Sequence, residues 1–266
     1  MLGGLCHSIA WLVLIGVVVG ALGRLRPASP TQRFLRSGFV TDLIYWLSPY
    51  FLYGPLAPKP LAVATAAIAK AFTGSAVVGF AALARQPFWA QALEAFVLAD
   101  FLSYWGRRAL HGRALWGFHA IHHSAVEVDW LTTIRNHPVN VVLQRLALTA
   151  PLLLVGFPVA TILAIAPISA LYNIFVHANL ACRFGRLPVS LAMHRWHHAS
   201  ETEGCNSNYG EALAIWDVMF GTLHLPAGVP RRLGLDDGPP QDVVGQTLWP
   251  AHYFFGPSSA SSPLAE

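Results

Sequence analysis

Apolar residues in this chain fall in long blocks, not at a strand-like spacing of two. Cys6 to Leu22 is one block, just long enough to span a bilayer and interrupted only by His7 and Ser8. It lacks a basic start and a small-residue cleavage site, so it reads as a retained span and not a signal peptide. Thr41 to Leu56 is apolar and aromatic but carries Asp42, Ser48, Pro49, Gly54 and Pro55. Leu61 to Leu83 is a clean span despite Lys70, and Phe88 to Trp105 is another with Glu94 and Asp100 inside it. Val139 to Leu180 has the length of a two-span hairpin, with a break at Gly156-Phe157-Pro158 and Pro167 placed to kink the second helix. The pattern predicts an all-α integral membrane helical bundle of about four or five spans plus an interfacial segment. Three regions are expected: membrane-anchoring helices over 1–90, a chemistry-bearing region over 91–225, and a loop-rich tail over 226–266 with little order after Pro257.

Composition supports this reading. The chain is 55% hydrophobic and only 11% charged, against roughly 25% charged in soluble domains. The net charge of +4 is small, and the arginines gather at segment ends. They read as topology signals and exclude a nucleic-acid surface. Arg24, Arg26, Arg33 and Arg36 mark a cytoplasmic loop, and Arg107, Arg108, Arg113, Arg135, Arg183, Arg186 and Arg195 mark a second cytoplasmic region. Both can face one side only if 41–56 is re-entrant or interfacial. Cys6, Cys182 and Cys205 have no C-x-x-C spacing and form no closed disulfide set.

The chemistry sits in histidines. His119, His122 and His123 form one H-x-x-H-H cluster, and His194, His197 and His198 form another. On a helix each cluster shares a face. His111 stands eleven residues before His122, so a continuous helix would put those two in line, although Gly112 and Gly117 interrupt the helical pattern. His177 ends the apolar run YNIFVHANL and would return from the membrane toward the other clusters. Imidazoles crowded without carboxylate partners pack a core poorly but bind metals well. Eight of them, His111, His119, His122, His123, His177, His194, His197 and His198, exceed one tetrahedral zinc site and suit two metals held close together. Two redox-active irons there could use dioxygen on an unactivated C–H bond of a lipid. His7, His137, His224 and His252 read as structural, His137 through the turn before Pro138.

Asp100 needs a partner or a task at a membrane boundary. It could orient a ligand imidazole, or pair with Arg107 or Arg108. Trp105, Trp116, Phe118 and Trp130 fit either a lipid entry path or an interfacial belt. Asp42, Glu94 and Lys70 read as interhelical polar contacts or snorkelling residues.

The sequence resembles the fatty acid hydroxylase superfamily, also called the sterol desaturase family. The resemblance rests on D-F-x-x-Y-W at Asp100–Trp105, R-x-x-H ending at His111, and L-W-x-F-H-x-x-H-H-S at Leu115–Ser124. W-L-T-x-x-R-x-H-P at Trp130–Pro138, H-A-N-L at His177–Leu180 and H-R-W-H-H at His194–His198 follow. N-Y-G at Asn208–Gly210 and W-D-x-x-F-G-T at Trp216–Thr222 close the series, which covers roughly residues 95 to 225. The resemblance implies a membrane oxygenase with a cytosolic, histidine-bearing helical cap over the bundle. It implies two iron ions on the eight histidines, with zinc possible in a purified form. It also implies a lipid substrate (a sterol or fatty acyl chain) drawn from the bilayer, dioxygen, and electrons from a separate donor protein. The active site would face the cytoplasm.

One position departs from the family pattern. Its first motif usually reads H-R-x-x-H, and here Arg107 replaces the first histidine. Arginine cannot ligate a metal, so Tyr104, His137 and Asp100 become candidate substitutes, and Arg107 itself a candidate residue behind the ligands. Two alternatives follow: a catalytically silent metal-binding homologue, or a zinc-dependent lipid hydrolase, for which no H-E-x-x-H is present.

Overall fold

The computed structural model describes residues 2–48, 85–200 and 202–256, with positions 67, 70, 71 and 83 between them. All but those four positions of the expected span at 61–83, residues 49–56 and the tail after Gly256 therefore lie outside the described residues. What is described is helical, with no strand: α1 Leu2–Leu25, α2 Phe39–Ser48, α3 Phe88–Leu110, α4 Arg113–His123, α5 Pro138–Val155, α6 Val159–His177, α7 Leu191–His197, α8 Thr202–Cys205, α9 Ile215–Met219 and α10 Val243–Phe255. A single 3₁₀ turn, Trp130–Ile134, joins α4 to α5.

Three of these helices are long and apolar enough to cross a membrane: α1 over Cys6–Leu25, α5 and α6. The α5–α6 hairpin breaks where the sequence places the break. Gly156 takes the left-handed conformation (φ 107°) that caps α5, and Pro158 precedes α6. α3 has the length of a span, at 23 residues, but carries Gln91, Glu94, Asp100, Arg107 and Arg108 and is not among the three. It packs along α5 and α6 through Ala95, Ala99, Leu152, Phe157 and Ile165. α2 is described over ten residues and buries Thr41, Asp42, Tyr45 and Ser48.

The chain does not continue as one helix from α3 into α4. His111 caps α3, and Gly112 turns extended (ψ 147°) to start α4. A Cβ at Gly112 would stand 3.0 Å from the Ala109 carbonyl, so the tight corner suits glycine. His111 consequently does not line up with His122.

The tail expected to be mostly loop holds the 13-residue helix α10. It docks on α4: Trp249 joins Tyr45, Trp116, Ala120 and Ile121 in one core cluster. A Cβ on Gly117 would meet the Tyr253 ring at 2.7 Å, so this glycine permits the close approach.

A buried charge network ties α2 to the 3₁₀ turn. Asp42 accepts from Arg36 and from Arg135, both at 2.5 Å, with all three side chains fully buried. Arg36 also donates to Asp129, at 2.6 and 2.7 Å, and to Thr132. Asp129 caps the 3₁₀ turn by accepting from the Leu131 amide. Arg36 and Arg135, read from the sequence as topology signals, are internal cations held by carboxylates. Asp42 is an inter-element polar contact, as its position among apolar residues predicts.

Candidate metal centre

The eight histidines converge. Among the described residues two four-histidine groups form, His111, His119, His123 and His197 in one, His122, His177, His194 and His198 in the other. All eight are buried. Within each group the ligand nitrogens lie within 4.8 Å of one another.

The partition follows from helical geometry. Residues four apart on a helix stack on one face, and a residue three along points about 60° away. In α4, His119 and His123 therefore enter the first group and His122 the second. At the end of α7 the pattern is reversed: His194 and His198 enter the second group and His197 the first. His111, at the α3–α4 corner, completes the first group. His177, the last residue of α6, completes the second. Each group thus takes an i, i+4 pair from one helix, one ring from the other, and one ring from a helix end. The groups adjoin, with the His123 and His198 rings stacked at 4.6 Å.

Backbone carbonyls aim the rings. His122 Nδ1 donates to the Arg135 carbonyl (3.3 Å), His177 Nδ1 to Asn173 (2.7 Å) and His197 Nδ1 to Ser207 (2.8 Å). A carbonyl accepts only from N–H, which fixes the proton on Nδ1 and leaves Nε2 as a bare lone pair. The Nε2 atoms of His122 and His177, both left as lone pairs, nevertheless face each other at 3.3 Å, and His194 Nε2 lies 2.9 Å from that of His177 and 3.2 Å from that of His198. Lone pairs pointed at one another repel unless a cation lies between them. Ligand nitrogens about 2.0–2.1 Å from one metal stand roughly 2.9–3.4 Å apart, so the spacing fits a shared metal ion. In the first group, the buried Nε2 atoms of His123 and His197 have no protein partner.

Burial keeps these rings in their metal-binding form. It drives the imidazoles of His119, His123, His194, His197 and His198 well below the usual histidine range, with their neighbours adding to the effect. His122 is pushed down to about 3, by burial first and then by the Arg107 charge. Neutral imidazole is the ligand form.

Residues 92–222, which hold all eight histidines, match the model of the family described as fatty acid hydroxylase. Residues 92–222 belong to the fatty acid hydroxylase family. Curated relatives include the ornithine lipid hydroxylase OlsE of Rhizobium tropici, 35% identical over 57% of this chain and 46% of that protein. The alkylglycerol monooxygenase of Homo sapiens is 29% identical over 49% of this chain and 30% of its own length. The very-long-chain aldehyde decarbonylase GL1-8 of Oryza sativa subsp. indica is 29% identical over 51% and 54%. The chain spans about half the length, or less, of these relatives. No solved structure matches.

Within the hydroxylase-family region, the other candidate residues take different places. Asp100 orients no imidazole and forms no ion pair with Arg107 or Arg108. Its carboxylate accepts from the Ala212 and Leu213 amides (2.7 and 3.0 Å) and the Trp216 indole (2.8 Å). His137 caps α5, accepting from the Val139 amide, with its ring against Phe118. Tyr104 bonds Thr222 and accepts from Arg108. None of these three substitutes for a missing ligand. Arg107 is buried and donates to the Gly210 carbonyl at 2.9 Å.

The last two motifs hold the loop over the centre. Asp217 accepts from the Tyr209 and Gly210 amides and from Thr222. This sets the Tyr209 ring against His111 (5.1 Å) and His197 (5.8 Å). Trp116, expected in a belt or entry path, is buried against His111 and His123. Trp130 is buried too, its ring 3.2 Å from where a Gly16 Cβ would stand. Cys205 approaches His123 Nδ1 at 3.9 Å, a contact with no sequence signal.

Proposed function

We propose that this chain is a membrane-bound di-iron oxygenase that hydroxylates or desaturates a lipid, a sterol or fatty acyl chain, using dioxygen and electrons from a separate donor protein. The observation that carries the reading is the pair of adjoining, buried four-histidine groups. In this reading His111, His119, His123 and His197 hold one iron, and His122, His177, His194 and His198 the other. Two irons so held would supply the dioxygen chemistry needed to break an unactivated C–H bond.

The chain's own residues would bind and exclude. Carbonyls of Arg135, Asn173 and Ser207 fix ring orientation before any metal arrives, which lowers the reorganisation needed on binding. Tyr209 and Trp116 wall the first group against water. Because α6 emerges from the apolar layer at His177, a lipid tail can reach the centre without entering water. The centre faces the cytoplasm in this reading, because exposed Arg183 and Arg186 follow α6 and favour that side. Family membership and the lipid-modifying relatives support the reaction class.

Iron-loaded protein incubated with a membrane lipid extract, a reductant and ¹⁸O₂ tests this. Incorporation of labelled oxygen into a lipid, or oxygen-dependent loss of two hydrogens, is the expected result. A lipid product that forms equally well without oxygen would overturn it.

A further inference from the structure

A cavity of about 510 Å³, lined by none of the eight histidines, lies beside α7 between the loop that follows α1 (Ala28–Pro30), Val126 and the segment Val229–Asp236. Three arginines line it, Arg195, Arg231 and Arg232, against a single carboxylate, Asp236. Asp236 is already held by Arg232 at 2.8 and 2.9 Å. Arg195 differs from the other two. It is only 4% exposed, and its guanidinium makes one long contact, Nη1 to the Val128 carbonyl at 3.4 Å. The nearby Asp129 carboxylate is bound through both oxygens by Arg36. A guanidinium carries five donors in a planar fork, and burying that charge with so few acceptors is costly. A tetrahedral oxyanion in the cavity would satisfy it, because the fork matches a phosphate edge.

The cavity also sits at a defined height. Its wall Ala28–Pro30 begins three residues after α1 ends. The Ser29 amide donates to Asn179 Oδ1 at 2.8 Å, two residues after α6 ends. Both candidate membrane helices therefore leave the apolar layer at the cavity's edge, where lipid headgroups lie.

We propose that this cavity binds the phosphate of an anionic membrane lipid, with Arg195 as the buried anchor and Arg232 at the rim. The site goes beyond the oxygenase reading and does not depend on it.

The test titrates the full chain, in uncharged detergent, with dioleoyl phosphatidic acid, with dioleoylglycerol and with inorganic phosphate. Phosphatidic acid should bind about tenfold or more tightly than dioleoylglycerol. Arg195→Gln should abolish that preference, Arg232→Ala at the exposed rim should reduce it, and Arg186→Ala, on a different loop, should leave it intact. Equal affinity for the two lipids in the unaltered chain would overturn the proposal, as would a preference lowered as much by Arg186→Ala as by Arg232→Ala. Inorganic phosphate binding as tightly as phosphatidic acid would overturn the lipid assignment in favour of a soluble anion. If Arg195→Gln does not fold, the unaltered chain and Arg232→Ala still decide the matter. Metal content, read on the same samples, separates the two claims: a lipid preference without bound iron would fail the oxygenase reading and leave this one standing.

Discussion

Arg135 and Asp42 are locked together by a fully buried ion pair at 2.5 Å, and the same Arg135 offers its backbone carbonyl to the Nδ1 of His122. The short helix α2 thus reaches a metal-ligand candidate through one residue. Removing one partner of a buried pair strands the other charge, at a cost of about 3–5 kcal/mol. Asp42→Ala strands Arg135 and leaves Arg36 with Asp129 as its one carboxylate partner. It should lower the unfolding temperature of the detergent-solubilised protein sharply and weaken metal retention, read as metal content after dialysis. An unchanged melting profile would mean that the network contributes little.

Asp100 belongs to the scaffold of the loop over the centre. Asparagine in its place presents an N–H₂ to a site that receives three N–H donors. Leaving buried donors unmatched costs about 1–3 kcal/mol. Asp100→Asn should therefore destabilise the chain by that amount, with Trp216 fluorescence shifting as its indole loses an acceptor. Retained stability together with loss of a metal would instead put Asp100 behind a ligand.

Arg107 replaces no ligand in this structure, because both groups reach four histidines without it. Arg107→His should leave the number of bound metals unchanged. It should also lower stability through the lost contact to the Gly210 carbonyl, a charged hydrogen bond worth about 1.5–3 kcal/mol. Gain of a metal, or activity appearing only in Arg107→His, would revive the silent-homologue alternative.

Trp249 lies outside the family-matched region yet packs into the core under α4. Trp249→Ala should cost about 3–5 kcal/mol, as large buried aromatics do when truncated, measured by thermal unfolding. No loss would mean that α10 is peripheral to the centre.

Much of this was legible in the sequence. Gly156 and Pro158 mark the hairpin turn because their backbone restrictions are local. The eight histidines stand out by number and spacing. Their division into two groups does not, because it depends on the corner at His111–Gly112 and on how α7 docks opposite α4. Charge counting does not reveal that Arg36, Arg107, Arg135 and Arg195 are buried. A positive charge reads the same in sequence whether it faces water or a carboxylate ninety residues away. The helix α10 was hidden by the glycine- and proline-rich stretch before it, although Gln246, Trp249 and Pro250 give it a buried face.

If each four-histidine group holds a metal, elemental analysis of protein purified anaerobically from iron-replete cells will count it. The expected content is about two irons per chain. That number should fall to about one in His111→Ala or His177→Ala, one variant from each group, and to none when the two are combined. One metal or none in the unaltered chain, or zinc in place of iron under those conditions, would contradict it.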